Sequence, residues 1–289
     1  MLICGALVLT ACGSGVPAQR LLGNNAPWLS GQDTTETTVY DVSVAATESA
    51  PAVHGTYTVK IRRVQNADVA VGEETVTGFS GYYLSAHMQM DNGDYMDIQA
   101  TVGTDMSLKQ SYMKKKDSVA RNGEVYTQIG KENDGVYETS YERISASGDT
   151  ETTEVGSAKF KHKEFQSAPY ADNTILYMLV RCLNADSATA VTLDVFQYAT
   201  GQVTNARMGL VSATPADIAL ADAQTEDACT KVACLPYAIA STETFPGQGT
   251  SLNVYIAKEP INGVLRPICK FIEDRTTYTM ISTQTVVNA

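Results

Sequence analysis

Hydrophobic and polar residues alternate along most of this chain, and a helical spacing replaces the alternation clearly at one place. In Thr56–Arg62, Tyr57, Val59 and Ile61 fall on one face and Thr58, Lys60 and Arg62 on the other, which is the two-residue period of a half-buried strand. Gly78–Met90, Tyr95–Val102, Val125–Ile129 and Val136–Ile144 alternate in the same way. Between these runs stand Asn92-Gly93, Asn122-Gly123 and Asp134-Gly135, dipeptides that tolerate the positive φ of a two-residue hairpin. The pattern predicts an antiparallel meander with one wet and one dry face. Residues 145–157, SASGDTETTEVGS, read as an acidic loop or an exposed hairpin tip.

Within Asp172–Asn184, DNTILYMLVRCLN, the spacing changes. Ile175, Leu176, Leu179, Cys182 and Leu183 recur along one face of a 3.6-residue period, Met178 widens that face, and Tyr177 and Arg181 lie toward its edge. Pro169 stops the preceding segment, and Asp172 or Asn173 is placed to cap the first turn. A helix of about three turns cannot bury this face by itself, so it must lie on a sheet made by the flanking strands. After it Val191–Tyr198 alternates again, and Cys229–Ile239, Ser251–Ala257 and Val264–Ile281 form a closing meander turned at Phe245-Pro246-Gly247 and Asn262-Gly263. Thr214-Pro215-Ala216-Asp217 predicts a second, short helix to Ala223, with Thr214 as cap and Pro215 at the first helical position.

Composition narrows the class. With 289 residues and 44% apolar, the chain can build one large β-rich domain or two small ones. Its net charge of −11 argues against a nucleic-acid partner, since a phosphate backbone requires a concentrated basic face. The short basic runs Lys114-Lys115-Lys116 and Lys159, Lys161, Lys163 read as lysines protecting solvated edge strands, with attraction to anionic headgroups as the alternative.

Catalytic and metal chemistry finds no constellation in the sequence. His54, His87 and His162 have no HxH, HExxH or HxxxH partner, so no zinc site is expected. Asp91, Asp94 and Asp97 lack the ligand ladder of a calcium loop and are explained by the Asn92-Gly93 turn. Gly78-Phe79-Ser80-Gly81 lacks the spacing of a nucleophile elbow. The expectation is a non-enzyme with no catalytic residue, no metal and no cofactor.

The first twelve residues, MLICGALVLTAC, are an apolar run too short to span a bilayer and read as the hydrophobic region of a secretory signal. Leu9-Thr10-Ala11-Cys12, followed by Gly13-Ser14-Gly15, resembles the bacterial lipobox. No Lys or Arg precedes the apolar run, a gap that a mis-set start codon or a truncation explains. The resemblance implies a signal peptide over residues 1–11, diacylation of Cys12 and a membrane anchor, two acyl chains holding durably where one does not. Residues 12–36 then form a flexible tether that includes Trp28, and residues 37–283 a single domain. With Cys4 removed and Cys12 lipidated, Cys182, Cys229, Cys234 and Cys269 remain, and four thiols allow three pairings. If Cys229 and Cys234 share one extended strand they lie roughly 16 Å apart, too far to bridge. Disulfides between different elements and free buried thiols are both open.

The order of elements carries a second resemblance. An N-terminal meander, the helix ILYMLVRCLN, the strand VTLDVFQY, the segment CTKVACLPYAI and the closing NVYIAKEPINGVLRPICKFIEDRTTYTM together resemble an uncharacterised secreted half-barrel family, similar in architecture to the lipoprotein-localisation carriers. The resemblance implies a mainly β, α+β fold: a curved, unclosed antiparallel β-barrel with a central helix packed on its concave face. It further implies an acyl chain or other hydrophobic ligand held between sheet and helix, with Ile175, Leu176, Met178, Leu179, Val59, Ile61, Leu252, Val254 and Ile256 as candidate lining residues. The same residues would serve equally as closed core. The functional expectation is thus an envelope lipoprotein, anchored on the extracytoplasmic side at the periplasm or cell surface, that binds a lipid. Two alternatives are a non-catalytic assembly lipoprotein whose sheet edges bind another envelope protein, and a hydrolase of wall or carbohydrate material.

Overall fold

The computed structural model describes residues 26–27, 34–118, 123–133, 136–147, 150–161, 170–172, 174–183, 190–197, 202–241 and 252–288. The segments expected from sequence to be a signal and a tether, with Cys12 and Trp28, lie outside them apart from residues 26–27 and 34–36, as do the expected turns at Asp134-Gly135 and Phe245-Pro246-Gly247. The first half is a meander of β1 (Thr34–Val44), β2 (Val53–Val71), β3 (Glu74–Met90), β4 (Tyr95–Val102), β5 (Leu108–Asp117), β6 (Glu124–Asn133), β7 (Val136–Ser147) and β8 (Thr150–Lys161). After β9 (Tyr170–Asp172) comes the helix α1 (Leu176–Arg181), then β10 (Val191–Gln197), β11 (Gln202–Leu210) and β12 (Ala216–Ala219). The chain closes with β13 (Lys231–Ser241), β14 (Leu252–Ala257), β15 (Ile268–Glu273) and β16 (Thr276–Val287).

All of these strands join one sheet, in the order β8-β7-β6-β5-β4-β3-β2-β1-β16-β15-β14-β13-β11-β10-β9, with β12 pairing beside β13. Most strands adjacent in sequence are adjacent in space, the exceptions being β8–β9 and β11–β12, and the first and last strands, β1 and β16, pair along their length. Chain length forces this sheet to bend. Fifteen strands laid flat at ~4.8 Å spacing would be roughly 70 Å wide. Yet β8 ends at Lys161 and β9, at the opposite edge, begins at Tyr170, and a linker of this length spans at most about 30 Å. The sheet therefore curls toward itself without closing: among the described residues β8 pairs only with β7, and β9 only with β10. The fold is a curved, unclosed, barrel-like antiparallel sheet.

The one parallel pair among the described strands places the helix. β9 and β10 run parallel, Tyr170 opposite Asp194 and Asp172 opposite Phe196, and a parallel neighbour requires a crossover connection. α1 occupies that crossover and lies inside the curve, with Ile175, Met178, Leu179, Val180, Arg181 and Cys182 all fully buried. The inner rows of the sheet share one buried core with it: Tyr40 and Val42 of β1, Tyr57, Val59 and Ile61 of β2, Val254 and Ile256 of β14, and Phe271 of β15.

Three expectations are corrected. The helix covers Leu176–Arg181 rather than Asp172–Asn184, because Asp172 is held extended in the β9–β10 ladder; the N-cap is Ile175, without a side-chain cap. Ala216–Ala219 forms the strand β12 instead of a helix, since pairing with Lys231–Cys234 of β13 satisfies its backbone and outweighs a Thr-Pro start signal. Lys114–Lys116 lie on β5, an interior strand between β4 and β6, and so guard no edge; Lys159 and Lys161 do lie on the edge strand β8. Residues 145–157 resolve in favour of the hairpin, since β7 and β8 pair from Val136–Lys161 to Ser147–Thr150. Asn262-Gly263 makes its predicted turn, with φ of 47° and 81° between the bridged Ile261 and Val264.

The long β2–β3 hairpin folds back over the outer face. Register shifts between Val64 and Val69 bend β2, and Asn66, Gly78 and Gly81 take positive φ. Its tip lands on β4 and β5, where the Gly72 N–H donates to Gln99 Oε1 at 2.7 Å. A Cβ at Gly72 would sit 2.6 Å from the Tyr112 ring, so only glycine permits this approach.

Candidate functional site

The helix is fixed at its C-terminal end by charge and at its N-terminal end by an aromatic cluster. The Arg181 guanidinium donates to both carboxylate oxygens of Glu36 on β1 and, at 2.9 and 2.6 Å, to the carbonyls of Arg266 and Leu265. Burial opposes the Arg181 charge, but Glu36 more than offsets it and the pKa moves upward. Arg266 reciprocates, donating to the Leu183 carbonyl and, at 3.2 Å, to the Tyr237 hydroxyl. Sequence reading placed Arg181 at the edge of the apolar face; the structure buries it completely, a position that only the distant Glu36 could have signalled. At the other end Tyr40 donates to the Ile268 carbonyl at 3.0 Å. Tyr177 therefore donates to Tyr40, 2.6 Å away. Burial, only partly opposed by Arg181, pushes the Tyr177 hydroxyl up to about 12.

Beneath this first turn the packing leaves a cavity of about 80 Å³. α1 and the residues before it contribute Thr174, Leu176 and Tyr177; β4 and β5 contribute Met96, Ile98 and Met113; β14 contributes Leu252 and Val254. Its aromatic wall is Tyr57, Phe271 and Tyr278, the last two stacked with ring centroids 4.0 Å apart, and Glu273 is its one acidic lining residue. Of the residues proposed from sequence, Leu176, Leu252 and Val254 line this space. Ile175, Met178, Leu179, Val59, Ile61 and Ile256 are buried in the surrounding core instead. The methionines and aromatics were missed because alternation shows which face of a strand is dry, not which strands meet across the curve.

A second, polar groove of about 580 Å³ lies on the outer face under the folded hairpin tip. Register arranges it: Lys60, Ser85, Gln99 and Tyr112 form one row across β2–β5, and Thr58, His87, Asp97 and Lys114 the next. His87 Nδ1 and Asp97 Oδ1 are 2.6 Å apart, which fixes the imidazole by a bond to its neighbour strand. Spacing along the chain could not show this pair, because it is made across strands. Asp94 of the same stretch is also engaged, accepting from the Ser118 N–H and hydroxyl at 2.9 and 2.6 Å. Ser80 accepts from the Asn66 N–H at 2.9 Å as a strand residue.

All four cysteines of the domain are free thiols. Cys182 packs 3.6 Å from Met106 and donates to the Met178 carbonyl at 3.4 Å, and burial pushes its thiol up to about 12. Cys229 lies ahead of β13 and donates to Thr225 O at 3.3 Å. Cys234 and Cys269 are fully buried and hydrogen-bond to one another, and that contact together with burial raises the Cys234 thiol well above its ordinary value.

No family model matches the chain, and no curated protein matches it. Among solved structures, the crystal structure of a beta-barrel-like protein of a domain of unknown function, DUF1849, from Brucella abortus is similar over 88% of this chain and 99% of that chain. The two share 11% sequence identity, with a TM-score of 0.47.

Proposed function

We propose that this chain is a membrane-anchored extracytoplasmic lipoprotein whose half-barrel holds the apolar end of a lipid or another hydrophobic ligand beneath α1. The observation that carries the reading is the apolar cavity left between helix and sheet. A helix docked only to complete a core would close that space, since interiors pack nearly without voids. At about 80 Å³ the space is roughly half the ~150 Å³ of an engineered apolar cavity that takes up benzene. It suits the terminus of an acyl chain rather than a whole lipid, and the rest of the ligand would leave past the exposed Glu273. The anchor rests on the lipobox resemblance at Leu9–Cys12.

Native mass spectrometry of the full chain purified from membranes tests the ligand. The expected result is a co-purified lipid of discrete mass, lost in Leu176→Trp, which fills the cavity, while circular dichroism keeps its wild-type form. A wild-type protein of bare mass from membranes overturns the reading. Replacing Cys12 by Ala is expected to move the protein from the membrane fraction to the soluble one; retention in the membrane counts against the anchor.

A further inference from the structure

We propose that the free edge of β8 is a self-association surface, on which β8 of a second copy pairs antiparallel about Val155. The strand is twelve residues long, and among the described residues nothing pairs with its outer side, so a full row of backbone donors and acceptors faces outward. At its centre stands Val155, 73% exposed, the most exposed large hydrophobic side chain among the described residues. Two of its charges are antisymmetric about that centre: exposed Glu151 lies four residues before Val155 and exposed Lys159 four residues after it, on the same face.

Symmetry and charge then narrow the pairings, and burial of the exposed Val155 against its own copy decides between those left. A parallel partner would set Glu151 beside Glu151 and Lys159 beside Lys159, which repel. An antiparallel partner related by a two-fold axis must keep outer side chains on the outer face of both copies. Side chains alternate faces, so the axis has to pass through a residue and not between two. Centred on Glu154 it would put two carboxylates face to face. Centred on Val155 it sets the two Val155 side chains together, Thr153 against Ser157, and Glu151 against Lys159 twice over, once on each side of the axis. This is an isologous interface, closed at two copies. In the monomer Lys159 Nζ reaches Glu138 on β7, so Glu151 is the partner it would gain.

Sedimentation of the detergent-solubilised full chain over a range of concentrations is the test. A dimer is expected, abolished by Val155→Pro. Glu151→Lys should weaken it by about tenfold, and adding Lys159→Glu in the same chain should restore it, which a merely misfolded variant would not do. Register is read by cross-linking under an added disulfide oxidant: Val155→Cys should give a dimer whose proteolytic fragment is linked to itself through position 155, and Ser157→Cys should not. A chain that stays monomeric, a dimer indifferent to Val155→Pro, or linkage through position 157 in place of 155 each overturns the proposal, as does β8 pairing only with a different protein.

Discussion

The inner face of the sheet is built in two different ways, one within reach of α1 and one beyond it. Near the helix the inward positions are mostly apolar: Tyr40, Ile61, Val254, Phe271 and Met280 are each at most 8% exposed, and the charged exception, Glu36, is neutralised by Arg181 of the helix itself. On β6–β8 the same face carries Gly130, Thr139 and Ala158 in one row and Gln128, Tyr141 and Gly156 in the next. Six helical residues extend only ~9 Å, too short to cover this wing, and the strands cover each other instead. Tyr137 lies over Gly130, where an added Cβ would be 2.3 Å from its hydroxyl, and Tyr141 lies over Gly156. The Arg143 guanidinium sits 5.6 and 5.0 Å from the Tyr126 and Tyr141 rings. The length of one helix therefore decides where this sheet can be apolar.

The sharpest way to break the comparison is at the helix. Arg181→Met leaves the Glu36 carboxylate buried without its partner and is expected to cost about 3–5 kcal/mol in chemical denaturation, with Glu36→Leu in the same chain recovering most of it. Hydrogen exchange should show protection falling at α1, β1 and β15 while the β6–β8 wing keeps its own. If the wing loses protection in parallel, the two regions are one cooperative unit and the distinction fails. In the wing the comparable change is Gly130→Ala. The new Cβ collides with Tyr137 and with Ser111 Oγ at 2.9 Å, and the two hydroxyls are themselves bonded at 3.0 Å. A loss of about 1–3 kcal/mol is expected, confined by hydrogen exchange to β5–β8. A neutral Gly130→Ala would show that the tyrosine cover is loose and that the wing needs no such fit.

The two regions were unequally legible in the sequence. Strand alternation and the turn at Asn262-Gly263 are local, and they placed β2–β4, β6, β7, β14 and one dry face correctly. The helix was found but made too long, because β9 depends on a strand partner more than twenty residues away. Leu176, Leu252 and Val254 could be named for the cavity since periodicity marks them as inward; Met96, Met113 and Phe271 could not be joined to them without knowing how the sheet curls. Arg181–Glu36 and His87–Asp97 are both products of tertiary register, and neither residue of either pair carries a local signal.

The smallest expected effect separates the regions by pH. Burial holds the Cys182 thiol at about 12, above its ordinary 9, and Tyr177 at about 12, above its ordinary 10. A raised folded pKa means that the native state keeps its proton longer than the unfolded chain does, so the stabilisation is complete below pH 9 and is lost as pH climbs toward 12. At pH 10 the Cys182 thiol alone accounts for about 1.4 kcal/mol, one pH unit of differential protonation. Denaturation midpoints measured from pH 8 to 11 should fall in the wild type, fall less in Cys182→Ala, and fall least when Tyr177→Phe is added. Gly130→Ala, acting in the wing, should lower every midpoint without changing that slope; a changed slope would mean that packing in the wing reaches the groups around α1.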